Sequence, residues 1–370
     1  MSKIVVVGAG IVGASTAYHL SKTDHQVTLI DADFQGRATS AAAGIICPWV
    51  SQRRNQTWYQ LASKSACYYP ELIKALRDQG IEKTGYKQVG TMVVKDDEKR
   101  LQNIWELVKK RRESTPEIGE IRWLNTNETK ERFPLVADGY FSLYVSGGAR
   151  VHGEQLRQAL LTACEQNQVH FITGEAKFEK GTIRVNNQLV TADKIVVAAG
   201  AWFHSLAATL GITGKIKPQK AQITTLQVEQ DTSDWPVIMP PGAHYMVPFE
   251  NGQIFAGVTH EDDAGFDTSI TPGGIHKIFS DTFTIAPSLA NSKLVKMDVG
   301  FRPVSPDFLP VFGAVPGHPH IFAANGLGSS GLTTGPFIAK QLAHLVLNED
   351  TDLDPKDYPI ASIMETEYRK

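Results

Sequence analysis

Near its start the chain carries an unbroken apolar run, Ile4-Val5-Val6-Val7, with no polar alternation, the pattern of a strand covered on both faces inside a parallel sheet. A glycine-rich turn follows, residues 14–21 read as a helix, and a second apolar run, Val27-Thr28-Leu29-Ile30, ends in Asp31. Farther along, residues 88–94, 140–145, 221–228, 244–248 and 253–259 read as strands, with Asn251-Gly252 as a hairpin turn between the last two. Leu101, Ile104, Trp105 and Val108 fall at helical spacing, so the basic run 109–112 reads as the solvated end of a helix. Residues 154–166 read as a helix, 169–171 as a strand, 194–202 as a buried strand ending in small residues, and an apolar helix runs to residue 347. Strands and helices in this order predict an α/β chain.

The first turn carries specific chemistry. Gly8, Gly10 and Gly13, with Ile11 and Val12 between them, form G-x-G-x-x-G directly after a strand and at the mouth of a helix. The first glycine permits the tight turn, the second lets backbone approach a pyrophosphate, and the third lets the helix pack on the strand. The helix N-terminus adds partial positive charge. Asp31, 18 positions beyond Gly13 (31 − 13), stands where a carboxylate accepts from a ribose diol, with Ala32 beside it. A Rossmann-like dinucleotide site is therefore expected, and it serves NAD and FAD alike.

Three distant segments favour a flavin. Arg37, Ala38, Thr39, Ser40, Ala41, Ala42, Ala43, Gly44 and Ile45 make a loop of small residues that brings backbone N–H groups close to a flat ring and hydroxyls to phosphate. Ala198, Ala199, Gly200, Ala201 and Trp202 end a buried strand in small residues, as backbone passing near a cofactor requires. Gly326, Leu327, Gly328, Ser329, Ser330, Gly331, Leu332 and Thr333 lead into the last helix. The free N–H groups of that helix suit the negative charge of a reduced isoalloxazine, and a nicotinamide has no such charge.

Composition narrows the class. At 370 residues the chain exceeds the usual span of one core, so two domains are expected. Lys plus Arg at 37 against Asp plus Glu at 39 gives a net charge of −2, which disfavours a nucleic-acid partner. Cys47, Cys67 and Cys164 lack C-x-x-C spacing, and no metal site is read. Cys47 reads as a small buried residue. With Met1-Ser2-Lys3 running straight into the first strand, no leader is read, and a cytoplasmic protein is expected. No apolar run reaches bilayer length. Peripheral membrane contact and a homo-oligomer stay open.

The chain resembles the D-amino-acid-oxidase-like flavoproteins, nearest the branch of glycine oxidase and the D-amino-acid dehydrogenases. The resemblance rests on the three segments above and on Gly300-Phe301-Arg302-Pro303, Pro306-Asp307 and Pro310-Val311-Phe312-Gly313. It departs at 324–328, which reads Ala-Asn-Gly-Leu-Gly where many members have Gly-His or Gly-Trp, and at Cys47-Pro48-Trp49. No cysteine lies near the C-terminus, so the resemblance implies noncovalent FAD.

The resemblance further implies a Rossmann-like FAD domain (1–85, 148–220, 295–370) interleaved with a smaller, mostly antiparallel α+β substrate domain (86–147, 221–294) that roofs the flavin. Val169 and His170 are then expected beside the adenine. Arg302 points from the roof to the flavin face, and Tyr245 adds a hydroxyl to the same ligand. A guanidinium fork matches a carboxylate, so a small amino acid is the implied substrate, with oxygen or another acceptor reoxidising the flavin. The plainer reading of Arg302 is an ion pair with Asp307. Trp49, His244 and Asn325 are pocket candidates, and neither His244 nor His260 is given a catalytic role. Oxidative deamination of glycine or a D-amino acid by hydride transfer is the expected reaction. An N-methyl or proline-type oxidase is the alternative, and an RNA-modifying flavoprotein or a flavin carrier without turnover stands behind both.

Overall fold

The computed structural model describes residues 1–366. Strand β1 (Lys3–Val7) runs into helix α1 (Ile11–Leu20) and strand β2 (Gln26–Asp31). Strand β3 (His170–Thr173) joins β2 in parallel, and β4 (Lys194–Val197) flanks β1 on its other side. Farther along come β5 (Lys217–Gln227), β6 (Tyr245–Pro248), β7 (Gln253–Gly257), helix α2 (Pro272–Ile285) and β8 (Lys293–Val304). The chain then makes β9 (Val311–Val315), β10 (His318–Asn325) and helix α3 (Gly331–Leu347).

Two sheets dominate. The first has six strands in the order β9-β10-β4-β1-β2-β3, parallel except where β9 pairs antiparallel to β10. Its centre is the apolar run read from sequence: Ile4, Val5 and Val6 are fully buried because α1 and α3 cover one face and a second apolar layer covers the other. The second sheet has eight strands, starting β8-β5-β7-β6 and continuing through Val237–Met239, Thr91–Lys95, Phe141–Val145 and Ile121–Leu124. All its neighbours are antiparallel except Val237–Met239 beside Thr91–Lys95. The fold class is the α/β architecture expected, a parallel nucleotide-type sheet with a mostly antiparallel second layer.

Several local expectations change. The strand read at 88–94 breaks into Tyr86–Gln88 and Thr91–Lys95, because Gly90 takes φ +81° and sends the two pieces into different sheets. Asn251 (φ 58°) and Gly252 (φ 71°) both take left-handed backbone and turn the chain between β6 and β7, where the register leaves Glu250, Asn251 and Gly252 as the loop. Strand β8 belongs whole to the roof sheet, so the division at residue 295 falls inside a strand. No helix among the described residues is long and apolar enough to cross a membrane.

Candidate active site

One long cavity runs from the glycine turn after β1 to the underside of the eight-stranded sheet. At its first end the glycines are demanded by contact. A Cβ on Gly8, which has φ +101°, would lie 2.4 Å from the carbonyl oxygen of Ala198, and one on Gly13 would lie 1.7 Å from that of Gly8. Gly13 therefore faces the strand and stays out of the cavity, while Gly8, Gly10, Ile11 and Val12 line it. The Thr39 hydroxyl accepts from the Ile11 N–H at 3.0 Å and pins the loop to the first turn of α1. Asp31 accepts from the Ala9 and Asp33 N–H groups and from Arg37, which also pairs with Asp33 at 2.9 Å. Its carboxylate is thereby fixed at the carboxyl end of β2, with Ala32 beside it in the lining.

The middle of the cavity is lined by Ala41, Ala42, Ala43, Gly44 and Ile45 and by Ala199, Gly200 and Trp202. Gly44 has φ +79°, and a Cβ there would lie 1.7 Å from the Val151 carbonyl, so only glycine lets this loop lie flat. Trp202 stacks between Phe34 and Phe266, with centroid distances of 5.3 Å to each. At the far end Leu327, Gly328, Ser329, Gly331, Leu332 and Thr333 line the wall, and the first N–H groups of α3 have no intrahelical acceptor. The Thr333 hydroxyl donates to the Ile45 carbonyl at 2.9 Å and locks the two loops together.

Arg302 and Tyr245 close the roof. Arg302 stands on β8, is buried at 9% exposure, and donates from Nη1 to Gln219 Oε1 at 3.1 Å. Tyr245 on β6 lines the same end of the cavity, close enough to that guanidinium to feel its charge. Burial pushes the Tyr245 phenol up to about 12 against the opposing pull of Arg302, so it is a neutral hydroxyl at neutral pH. No carboxylate among the described residues lies within ion-pair distance of Arg302, and the pairing with Asp307 does not form. The other two cations in the lining, Arg37 and Lys177, pair with Asp31 and Glu175. The buried charge of Arg302 is thus the one left for an incoming anion among the described lining residues.

Other expected site residues lie elsewhere. Ser40 turns from the cavity and donates to Glu154 at 2.6 Å, and Glu154 in turn holds Arg157. Ser330 donates to the Leu327 carbonyl and accepts from the Trp58 indole at 3.3 Å, which spends its hydroxyl on the core. Gly326 (φ +73°) packs on Ser305 and Leu309 and supplies the turn without lining. Asn325 does line the cavity, but both ends of its amide are used, on the Gly200 carbonyl (3.0 Å) and the Gly326 N–H (2.8 Å). Trp49 is 2% exposed and donates to Ser63 within the core beside the helix Gln56–Asp78. Val169 precedes β3 and packs in the core, on the edge of the sheet away from the carboxyl ends. The residues that line this end are Gly174, Glu175, Ala176 and Lys177, just past β3. Parallel sheets bind ligands at the carboxyl ends of their strands, a rule that could have located them. Phe34, Phe301 and Pro303 also line the cavity. Cys47, Cys67 and Cys164 do not, and burial pushes the Cys47 thiol up to about 12.

His244 packs against α2, where its Nε2 lies 3.1 Å from the Thr282 hydroxyl. That hydroxyl already donates to the Ile278 carbonyl, so Nε2 carries the proton and the buried Nδ1 has no partner. Burial lowers its pKa from 6.5 to about 4. Between those values the unfolded chain binds the extra proton, so this contribution to stability is whole above pH 6.5 and is lost as pH falls through 4. We expect His244→Gln to remove up to about 3 kcal/mol of the stability lost between pH 7 and pH 4. Urea midpoints at the two pH values check this, and equal losses in both proteins would refute it.

The cavity fits FAD. Its glycine turn is closed by the backbone approaches at Gly8 and Gly13 and leaves Gly10 bare in the lining, its acid sits at the end of β2, and its far wall is a flat, small-residue surface with a helix N-terminus beside it. In sequence, residues 3–345 match the model of the FAD dependent oxidoreductase family, DAO. The chain is 48% identical over 371 residues to a Bacillus subtilis protein described as an uncharacterized oxidoreductase, YurR, with 98% of this chain and all of that one covered. It is 28% identical to the glycine oxidase of Pseudomonas putida over 97% of this chain and 98% of the relative. The crystal structure of iminodiacetate oxidase from Chelativorans sp. BNC1 superposes with a TM-score of 0.93 at 36% identity, covering 96% and 98% of the two chains. The protein belongs to the DAO family of FAD-dependent oxidoreductases.

Proposed function

We propose that the chain oxidises the Cα–N bond of a small amino acid to an imine, which water hydrolyses to an oxo acid and ammonia. The observation that carries this reading is Arg302: a buried guanidinium with no acidic partner among the described residues, flanked by a neutral phenol, above the flat wall of a flavin cavity. Bound FAD supplies the acceptor for the two electrons that leave with the α-hydrogen. Gly8, Gly10 and Asp31 would hold its nucleotide half, and Ala41, Ala42, Ala43, Gly44, Ile45 and the start of α3 its ring.

Arg302 and Tyr245 fix the substrate carboxylate, and that anchoring turns the α-carbon toward the ring space. The apolar lining excludes water around it. The acidic residues in the lining, Asp31, Asp33 and Glu175, all belong to the nucleotide end, and among the described lining residues there is no carboxylate or histidine at the roof end to serve as a base for the amine. The substrate therefore enters with its amine already neutral, and turnover rises with pH as that amine deprotonates.

A secondary amine is the second reading, favoured by the iminodiacetate oxidase at 36% identity and a TM-score of 0.93. Anaerobic mixing of the flavoprotein with glycine, D-alanine, sarcosine, L-proline and iminodiacetate separates the two. A primary amine that bleaches the flavin releases ammonia, whereas a secondary one releases an amine or stays cyclic. Admitting air then distinguishes an oxidase, which makes peroxide, from a dehydrogenase. Failure of every amine to bleach the flavin would sink the proposal.

A further inference from the structure

We infer that Gln219, held by Asp262, is the positioning residue that aims the Arg302 guanidinium at its carboxylate ligand. The inference rests on the carboxylate-binding reading of Arg302 given above.

Gln219 lies on β5 directly across the ladder from Arg302 on β8. Its two amide atoms are spent in opposite directions. Oε1 accepts from Arg302 Nη1 at 3.1 Å, and Nε2 donates to Asp262 Oδ1 at 2.7 Å. Both partners dictate the same orientation, since a carboxylate only accepts and a guanidinium only donates. A flipped amide would set donor against donor at Arg302 and acceptor against acceptor at Asp262.

Asp262 is itself held in place. Glu261, its neighbour, exchanges two backbone hydrogen bonds of 3.0 Å with Lys220. The buried Lys220 ammonium reaches Asp267 at 2.7 Å and Glu261 at 3.8 Å, which ties the segment after β7 down onto β5. Asp262, exposed itself, thus follows a residue whose backbone is pinned to β5, and its carboxylate meets the Gln219 amide.

The consequence for Arg302 follows from its planar fork. With Nη1 committed to a neutral acceptor, the guanidinium plane is set and its remaining donors face Tyr245 and the cavity. A carboxylate at position 219 would set the same plane, but it would also neutralise the cation and compete with the ligand. A neutral amide orients the charge and leaves it available. Gln219 does not line the cavity, so it acts through Arg302 alone.

The test uses the FAD-loaded protein and acetate as a minimal carboxylate, with the visible flavin spectrum reporting binding. Gln219→Met, which keeps length and loses the acceptor, is expected to weaken acetate by about 5-fold, and Gln219→Glu by about 30-fold. Asp262→Ala should weaken it by about 3-fold, while Asp262→Asn, which retains an acceptor for the amide, stays near wild type. Flavin content and far-ultraviolet circular dichroism, unchanged in each variant, separate this from a loss of fold. Rescue by asparagine at 262 is the mark of orientation, because a merely structural role for the charge would not be restored by it. Acetate affinities within twofold of wild type in both Gln219→Met and Asp262→Ala, with Arg302→Ala abolishing binding, would overturn the positioning role and leave the carboxylate reading standing. Unchanged binding in Arg302→Ala, or no acetate response in the wild-type protein, overturns both.

Discussion

Arg302→Ala is expected to raise the apparent KM for the amino-acid substrate about 1000-fold, equivalent to about 4 kcal/mol, while the protein stays yellow. The size follows from what the variant leaves behind. A substrate carboxylate drawn beneath the roof without its guanidinium would be a desolvated charge facing a neutral phenol and an apolar wall. Flavin is retained because the side-chain hydrogen bond of Arg302 goes to Gln219, on the roof, and the nucleotide cradle is built from β1, β2 and the loop after β2. Arg302→Lys keeps the charge and loses the fork, so it falls between the two. Initial rates against substrate concentration, with flavin absorbance recorded on the same samples, check both halves. A KM within threefold of wild type would remove Arg302 from the binding site.

Gly13→Ala carries the other large effect. The added methyl would lie 1.7 Å from the Gly8 carbonyl oxygen, backbone against backbone, with no side chain free to yield. Either α1 shifts away from β1 or the turn between them opens, and both changes move the Ile11 N–H off the Thr39 hydroxyl and pull the small-residue loop from the cavity. We expect a colourless protein with FAD affinity weakened at least about 100-fold and stability lower by about 3 kcal/mol. Equilibrium dialysis of FAD and a denaturation curve measure the two losses. By contrast Gly10→Ala should cost less stability, because the nearest protein atom to its Cβ is the Thr39 hydroxyl at 3.5 Å, an ordinary contact. Retention of wild-type FAD affinity in Gly13→Ala would show that helix and strand do not need this approach.

The fingerprint was readable because its constraints are local. A turn, a helix start and a strand end within 31 residues fix their own geometry through sterics and hydrogen bonding, whatever surrounds them. The same holds for Asn251-Gly252, whose left-handed backbone is a property of those two residues. Arg302 was legible for a different reason, since it sits inside the specific run 300–303, and a resemblance in sequence carried its role. Errors came where a residue type was right and its direction was not. Ser40 and Ser330 have the hydroxyls expected of a phosphate or ring contact, yet Glu154 and Trp58, 114 and 272 residues away, claim them. Trp49 and His244 suit a pocket in composition, but each is drawn into packing, Trp49 by Ser63 and His244 by Thr282.

From sequence alone came the α/β class, the dinucleotide turn, the flavin segments and the one arginine to wager on, all consequences of short-range sterics and of patterns that survive without a fold. Only the tertiary structure decided that Gly174 to Lys177, not Val169, border the nucleotide end, that Arg302 is free of Asp307, and that Gln219 and Asp262 stand behind it. Those facts depend on which strands pair and in what register: Gln219 and Arg302 are 83 residues apart in the chain and meet because β5 and β8 are neighbours. Side-chain direction across a sheet follows from register, and register belongs to the whole sheet.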